Sequence, residues 1–305
     1  MRCFLLLIPA LLCLCSCDDK STAPPAAPEK TPAELVDSPG FNGHNAYSHC
    51  AAICKLGPRY SGSAAYEQQL CYLEKHLHAA GWQTARDTFA APNGVKMCNL
   101  RAFRSTSPSP LLLSCHIDTK TGIAPDFESA DDGASGAAVL LELARVLSHE
   151  QVELVFLDGE ESFAPRMSET DGLYGSKFDA ARRGSTLPRW QINLDMVGGR
   201  NKIMAIPSLD TSDFMYAQYT AAVRALGLSE EKWTVWPGAY LDDHVPYLEA
   251  GVDSLNLIAV FSGSNWWHTP KDNMSRICPR SLHESGLMTL QLVNQLLNAG
   301  AADAR

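Results

Sequence analysis

The stretch VELVFLDGEE, residues 152–161, decides the fold, because an apolar run ends abruptly in three acidic residues. Val152–Leu157 is short and rich in valine, leucine and phenylalanine, which is typical of a strand buried on both faces. Glu160 and Glu161 follow this strand and would repel each other unless a partner gives them different roles. In parallel sheets, ligands bind beyond the carboxyl ends of the strands. The stretch therefore predicts a buried strand that leads into a functional site.

Strand-like and helix-like patterns alternate through the rest of the chain. Short β-like runs occur at 83–89 and 97–103, and apolar runs of strand length recur at 111–115, 191–197 and 254–260. Apolar residues at helical spacing predict helices at 63–81, 134–148, 214–226 and 282–297. The predicted fold class is therefore α/β, a single domain with a mostly parallel central sheet and helices on both faces.

The first residues are predicted to be an export signal rather than part of the fold. Residues 1–16 combine an early arginine with an apolar stretch that is too short for an ordinary membrane-spanning helix. The ending LCSC, residues 14–17, resembles a bacterial lipobox in which Cys17 would carry the lipid; a plain secretory signal is the alternative. Residues 17–32 are rich in proline, alanine and charge, which predicts a disordered tether. We therefore expect an exported lipoprotein, anchored to a membrane of a bacterial cell envelope, with a catalytic domain over residues 33–305.

Composition and motifs exclude several classes of protein. The net charge is −9 and no run of lysine or arginine offers a track for phosphates, so the sequence predicts no nucleic-acid binding. The cysteines after residue 17 form no CxxC pair, which argues against a zinc site made of thiolates. The absence of a GxSxG elbow and of a GxxxxGK(S/T) loop excludes serine hydrolases and P-loop proteins of the usual kind.

Imidazole and carboxylate groups stand where predicted strands end, where a helix begins and in one late loop. They are His116 after LLLSC, Asp132 in ADDGASG, the pair Glu160 and Glu161, Asp195 in INLDMVGG, and His268 in NWWHTPKDN. Singly, each fits a capping or solvated role, and Asp132 is well placed to cap the helix after it. Together they would be costly to bury without a cation. Histidine and carboxylate ligands without thiolates suit a catalytic zinc ion, so the pattern predicts a metal site.

The order of these motifs resembles that of a known enzyme family. HxD at 116–118, ADDGASG at 130–136, DGEE at 158–161, a strand-end aspartate and a late histidine resemble the M28-type zinc aminopeptidase-like metallopeptidases over nearly everything after residue 33. Three details are similar to the glutaminyl-peptide cyclotransferases in particular. They are DGEESF followed by DGLYGSKF, the stretch LDDHVPYLEAGV, and Trp267 directly before His268.

The resemblance implies a role for each site residue. Asp132, Glu161 and His268 match the residues that hold one zinc ion in the cyclotransferases. Glu160 matches their proton-carrying acid/base, Asp195 and Asp243 match hydrogen-bonding acidic partners, and Trp267 matches a wall of the substrate pocket. His116 and Asp195 match residues that hold a second zinc ion in the aminopeptidases.

The activity that the resemblance implies is the conversion of N-terminal glutamine of peptides and proteins to pyroglutamate, with release of ammonia, by a chain expected to act as a monomer. The alternative is a di-zinc aminopeptidase of the M28 type, because all of its ligands are present. A third hypothesis is a binding lipoprotein on an inactivated peptidase fold. That hypothesis is disfavoured, because no ligand and no acid/base is missing.

Three positions depart from the pattern of the animal cyclotransferases. Arg166 falls where they place a second tryptophan, and Asn256 replaces a histidine of their inner hydrogen-bond network. Cys115 matches one half of a disulfide bond whose other half matches Ala137 here. The resemblance therefore leaves the mouth of the pocket undefined and implies that this disulfide bond is absent.

Overall fold

The structure is a computed structural model that describes residues 40–303. The predicted export signal, Cys17, the tether and residues 33–39 lie outside the described residues. The helices are α1 (Gly43–Cys54), α2 (Ala64–Ala79), α3 (Ala134–Val146), α4 (Tyr174–Arg183), α5 (Asp213–Ala225), α6 (Val245–Glu249) and α7 (Pro279–Asp303). The strands are β1 (Gln83–Ala90), β2 (Lys96–Phe103), β3 (Leu111–His116), β4 (Val152–Leu157), β5 (Trp190–Asp195), β6 (Met204–Pro207), β7 (Trp233–Trp236) and β8 (Asp253–Ala259).

The strands form one sheet of eight in the order β1-β2-β4-β3-β5-β8-β6-β7. The four central strands, β4, β3, β5 and β8, are all parallel to their neighbours within this group. β2 joins β4 and β6 joins β8 in antiparallel pairs, so the sheet is mixed toward its edges. The prediction of a mostly parallel α/β sheet is confirmed for its centre, where each strand is buried on both faces.

Alternating side chains of the central strands face two separate hydrophobic cores. Leu111 and Leu113 of β3 belong to the larger core, which also includes apolar residues of α1, α2, α3, α5 and α7. Leu112, between them, belongs to a smaller core with Ala180 of α4 and Tyr247 of α6. Helices therefore cover both faces of the sheet, as predicted.

Five elements were not predicted from the sequence: α1, α4, α6 and the short strands β6 and β7. The predicted strands and helices are present, with ends that differ by a few residues. β4 ends at Leu157, so Glu160 and Glu161 lie in the turn after it rather than on the strand. Gly159 makes this turn possible, because its φ of +74° is strained for any residue with a side chain.

Cys115 is a buried free thiol, and all six cysteines in the described part of the chain are free. The resemblance implied that the disulfide bond of Cys115 would be absent, since Ala137 stands at the partner position. Among residues 40–303, no helix combines the length and the apolar composition that a membrane span requires.

Candidate active site

The site lies at a switch point of the sheet, where successive parallel strands are placed on opposite sides of β3. β4 follows β3 in the chain and lies on one side of it, whereas β5 follows β4 and lies on the other side. Such a switch opens a crevice at the carboxyl ends of the strands. His116 ends β3 and Asp195 ends β5, while Glu160 and Glu161 follow β4 by three and four residues. The fold therefore gathers the predicted residues at one edge of the sheet.

Two groups of possible metal ligands share Asp132. One group is Asp132, Glu161 and His268, and the other is His116, Asp132 and Asp195; within each, the ligand atoms all lie within 4.8 Å of one another. Nε2 of His268 lies 3.1 Å from Oε1 of Glu161 and 3.3 Å from Oδ2 of Asp132. The structure thus brings together the three predicted ligands of a single zinc ion and, beside them, the two predicted ligands of a second.

Asp132 does not cap the helix after it. Gly133 occupies the N-cap position of α3 with a φ of +95° and without a side-chain hydrogen bond. A side chain at Gly133 would lie only 3.0 Å from the carbonyl oxygen of Asp118 and 3.2 Å from the ring of His116. The Asp132 carboxylate faces the two histidines, with Oδ1 3.1 Å from Nε2 of His116 and Oδ2 3.3 Å from Nε2 of His268.

Several buried polar atoms of the site make no hydrogen bond within the described residues, among them both ring nitrogens of His116, Oδ2 of Asp132 and Oδ1 of Asp195. Nδ1 of His116 lies 3.6 Å from Oδ1 of Asp118, and the other three atoms lie 3.1–3.4 Å from an acidic or imidazole group of the cluster. Buried polar atoms without partners are costly, and a cation would satisfy them together. The donor set of imidazole and carboxylate groups fits zinc.

Burial and mutual repulsion raise the pKa values of the carboxyl groups around the cluster. Burial and the nearby carboxylate of Asp242 raise the pKa of Asp195 to about 8. Burial, followed by Glu161 and Asp242, also raises the pKa of Glu160 well above its ordinary value, although His116 opposes the shift. Burial alone would lower the pKa of His268, but its contacts with Asp132 and Glu161 raise it to about 10. The site therefore crowds together more carboxyl groups than its two histidines can balance, and a bound cation would relieve this crowding.

Asp118 and Lys120, which follow β3, fix the turn that carries the two glutamates. Asp118 accepts hydrogen bonds from the backbone N–H groups of Glu160, at 3.2 Å, and Glu161, at 3.1 Å. Lys120 donates to the carbonyl and hydroxyl oxygens of Ser162, both at 2.6 Å, and its Nζ lies 3.6 Å from Oε2 of Glu161. The role of Lys120 was not predicted, because a single lysine in a loop belongs to no recognisable sequence pattern.

A cavity of about 590 Å³ opens above the cluster. Five carboxylates line it, from Asp132, Glu160, Glu161, Asp195 and Asp242. Aromatic and apolar side chains form the rest of its wall, including Trp267, whose ring stacks on that of His268 at 3.9 Å between centroids.

His268 has a φ of +52° and Met196, next to Asp195, has a φ of +51°. Such strained backbone is often found at functional sites.

Asp242, which sequence reasoning did not select, lies on the cavity wall, whereas Asp243 does not. Oδ2 of Asp242 accepts a hydrogen bond from Asn256 at 2.7 Å, and its Oδ1 accepts one from Asn193 at 3.1 Å. Asp243 is fully buried and accepts a hydrogen bond from the hydroxyl group of Ser176 at 2.6 Å. The role predicted for Asp243 therefore fits Asp242 better, because two adjacent aspartates point in different directions.

Comparisons with known proteins identify the family of the chain. The family model for peptidase family M28 matches residues 100–293. The glutaminyl-peptide cyclotransferase-like protein of Bos taurus is 30% identical over 265 residues, which cover 74% of this chain and 68% of the relative. The solved structure of Porphyromonas gingivalis glutaminyl cyclase matches 85% of this chain and 100% of its own, with 26% identity and a TM-score of 0.75.

A further solved structure that is similar to this chain is that of a peptidase. A zinc-dependent exopeptidase from Parabacteroides distasonis matches 84% of this chain and 98% of its own, with 26% identity and a TM-score of 0.75. The match to the family model, residues 100–293, contains both groups of possible metal ligands. The chain belongs to peptidase family M28, in the branch of that family that contains the glutaminyl-peptide cyclotransferases.

Proposed function

We propose that this protein is a zinc-dependent glutaminyl-peptide cyclotransferase that converts N-terminal glutamine of peptides and proteins to pyroglutamate and releases ammonia. One observation carries the proposal. In a single cavity, Asp132, Glu161 and His268 form a ligand group, while Glu160 lies beside them without a hydrogen bond or ion pair from its own side chain. The similarity to glutaminyl cyclases supports the same reaction.

Asp132, Glu161 and His268 would hold the zinc ion. A bound zinc ion supplies a Lewis acid that polarises an amide carbonyl group. Because Glu161 serves as a ligand, its carboxylate is committed, and the proton must be carried by another group. Glu160 is the neighbouring carboxylate that lines the cavity, which is why two adjacent glutamates are needed.

Glu160 moves the proton in the proposed reaction. The substrate's α-amino nitrogen attacks the carbon of its own γ-carboxamide, a C–N bond forms, and the ring closes. Glu160 accepts a proton from the attacking amine and delivers it to the leaving nitrogen, so the second C–N bond breaks and ammonia departs. The nucleophile comes from the substrate itself, so no activated water is required.

The remaining wall residues position the substrate. Asp195 and Asp242 line the cavity, where their carboxyl oxygens can accept hydrogen bonds from the α-amino group of a peptide and orient it for attack. Trp267 is 38% exposed and offers a flat apolar surface against which the aliphatic part of glutamine packs. The apolar wall also limits the access of water to the reacting groups.

A di-zinc aminopeptidase is the second candidate, because His116, Asp132 and Asp195 form a second ligand group. In that reaction Glu160 would take a proton from water rather than from an amine. Fluorogenic amides of glutamine and alanine separate the two functions. We expect ammonia from the glutamine amide and no free arylamine from either. Release of arylamine without ammonia would establish the aminopeptidase instead.

We also propose that the protein acts as a monomer anchored to a membrane of a bacterial cell envelope by a lipid on Cys17, facing the periplasm or the cell surface. The proposal is supported by the lipobox-like residues 14–17 and by the polar composition of residues 17–32. A tether of this kind would let the catalytic domain reach peptides away from the membrane surface.

A further inference from the structure

We propose that Arg166 makes this protein selective for glutamine peptides with an acidic residue at position 2 or 3. The inference rests on the proposed function and names the substrates that the cavity favours. It starts from an imbalance of charge: five carboxylates line the cavity, whereas Arg166 is the one lysine or arginine on its wall among the described residues.

The guanidinium group of Arg166 is available to a ligand. The side chain is exposed and makes no hydrogen bond or ion pair with any residue between 40 and 303. Asp171, on the same loop, does not compete for it. Its carboxylate already accepts hydrogen bonds from the backbone N–H groups of Phe163 and Ala164, at 2.9 and 2.8 Å, and from the hydroxyl group of Tyr174 at 2.9 Å.

The loop that carries Arg166 is held on both sides. Lys120 donates to the carbonyl oxygen of Ala164 at 2.9 Å, on the N-terminal side. Ser168 and Asp171 exchange backbone hydrogen bonds of 3.1 and 3.2 Å, on the C-terminal side. Arg166 therefore projects from a fixed backbone, which lowers the entropic cost of using it for recognition.

The chemistry of the cavity determines which part of a substrate meets Arg166. The reacting glutamine must lie among the deep carboxylates, with its N-terminus and γ-carboxamide beside Glu160. Arg166 is exposed, so it lies toward solvent, where the following residues leave the cavity. A guanidinium group pairs with a carboxylate through two parallel hydrogen bonds, and it repels an ammonium group. Glutamate or aspartate just after the glutamine is therefore favoured, and lysine is disfavoured.

Steady-state kinetics on C-terminally amidated tripeptides test the inference. The peptides are Gln-Glu-Ala, Gln-Ala-Glu, Gln-Lys-Ala and the neutral reference Gln-Ala-Ala. We expect the better acidic peptide to exceed the reference in kcat/KM by roughly three- to tenfold, as expected for a partly exposed ion pair. The advantage should lie mainly in KM and should shrink in high salt, because it is a binding effect between charges.

Substitutions identify the residue responsible. Arg166→Gln should bring the ratio between acidic and neutral peptides close to one, and Arg166→Lys should keep part of it. Arg224→Gln is the matched control, since Arg224 is an exposed arginine of α5 that lies outside the cavity, and it should keep the full ratio.

The outcomes separate this inference from the proposed function. Equal kcat/KM for all four peptides, or an acidic preference that survives Arg166→Gln, would overturn the inference and leave the cyclotransferase function standing. If none of the glutamine peptides released ammonia, the proposed function would be overturned, and this inference with it.

Discussion

Oε1 of Glu161 lies 3.1 Å from Nε2 of His268, whereas the carboxylate of the adjacent Glu160 makes no hydrogen bond or ion pair with the described residues. Asp118 holds the backbone N–H groups of both residues through its two carboxylate oxygens. One carboxylate is thereby directed to the ligand group and the other to the open cavity. This arrangement gives two like charges different roles on one turn of chain.

We expect one tightly held zinc ion per chain. Elemental analysis of protein prepared with excess zinc measures it, and removal of the ion by a chelator should abolish ammonia release until zinc is returned. His268→Gln should lower zinc retention, because a ligand of the first group is lost. His116→Gln is the control and should keep one zinc ion. Two zinc ions in the unaltered protein, reduced to one by His116→Gln, would favour the aminopeptidase.

The neighbouring aspartates 242 and 243 should respond differently to the same substitution. Asp242→Asn removes a charge from the cavity wall beside Glu160, and kcat/KM should fall by at least about tenfold. Asp243→Asn retains an oxygen that can accept the hydrogen bond of Ser176 and should have a smaller effect. A larger loss with Asp243→Asn would return the catalytic role to the residue first predicted.

His49 should make the free energy of unfolding depend on pH. Burial, assisted by the nearby ring of His76, lowers the pKa of His49 from 6.5 to about 4. Between these values the unfolded chain binds a proton that the native protein does not, so the free energy of unfolding should fall by about 1–3 kcal/mol as pH falls through this window. His49→Gln should flatten the slope in chemical denaturation, and His44→Gln, an exposed histidine of the same helix, should not. Equal slopes in all three proteins would show that His49 does not contribute.

Replacement of Cys17 tests the proposed anchor. Cys17→Ser should release the protein from the membrane fraction, because serine cannot carry the thioether-linked lipid. Cys71→Ser is a suitable control, since Cys71 is an exposed thiol of the catalytic domain and should leave the distribution unchanged. If the Cys17→Ser protein stayed with the membranes, another feature would have to hold it there.

Sequence patterns predicted the elements that pack most tightly. β3 and β4 are buried along their whole length and mostly apolar, and their hydrophobic runs stand out from the surrounding chain. α1 was missed because GHNAYSHCAAIC mixes polar and small residues, although it packs against α3 and α7. β6 and β7 are only four residues long, which is too short for a pattern to emerge.

In the candidate site, too, some residues could be predicted from the sequence and others could not. His116, Asp132 and Asp195 could be selected because charged groups at the boundaries of apolar segments need an explanation. The choice between Asp242 and Asp243 could not be made, because it depends on the orientation of a loop relative to Ser176, Asn193 and Asn256. Non-local contacts of this kind leave no periodic signal in the sequence.

Ammonia release per bound zinc ion by the Glu160→Gln protein is the most direct test of the account. Glutamine keeps the size of the side chain but cannot carry the proton, so turnover of a glutamine peptide should fall by roughly 10²–10⁴-fold while zinc content stays the same. Glu161→Gln, one residue away, should instead lower zinc retention, because a charged ligand is lost. A Glu160→Gln protein with full activity, or equal loss of zinc from both variants with equal activity per remaining ion, would contradict the division of roles between the two glutamates.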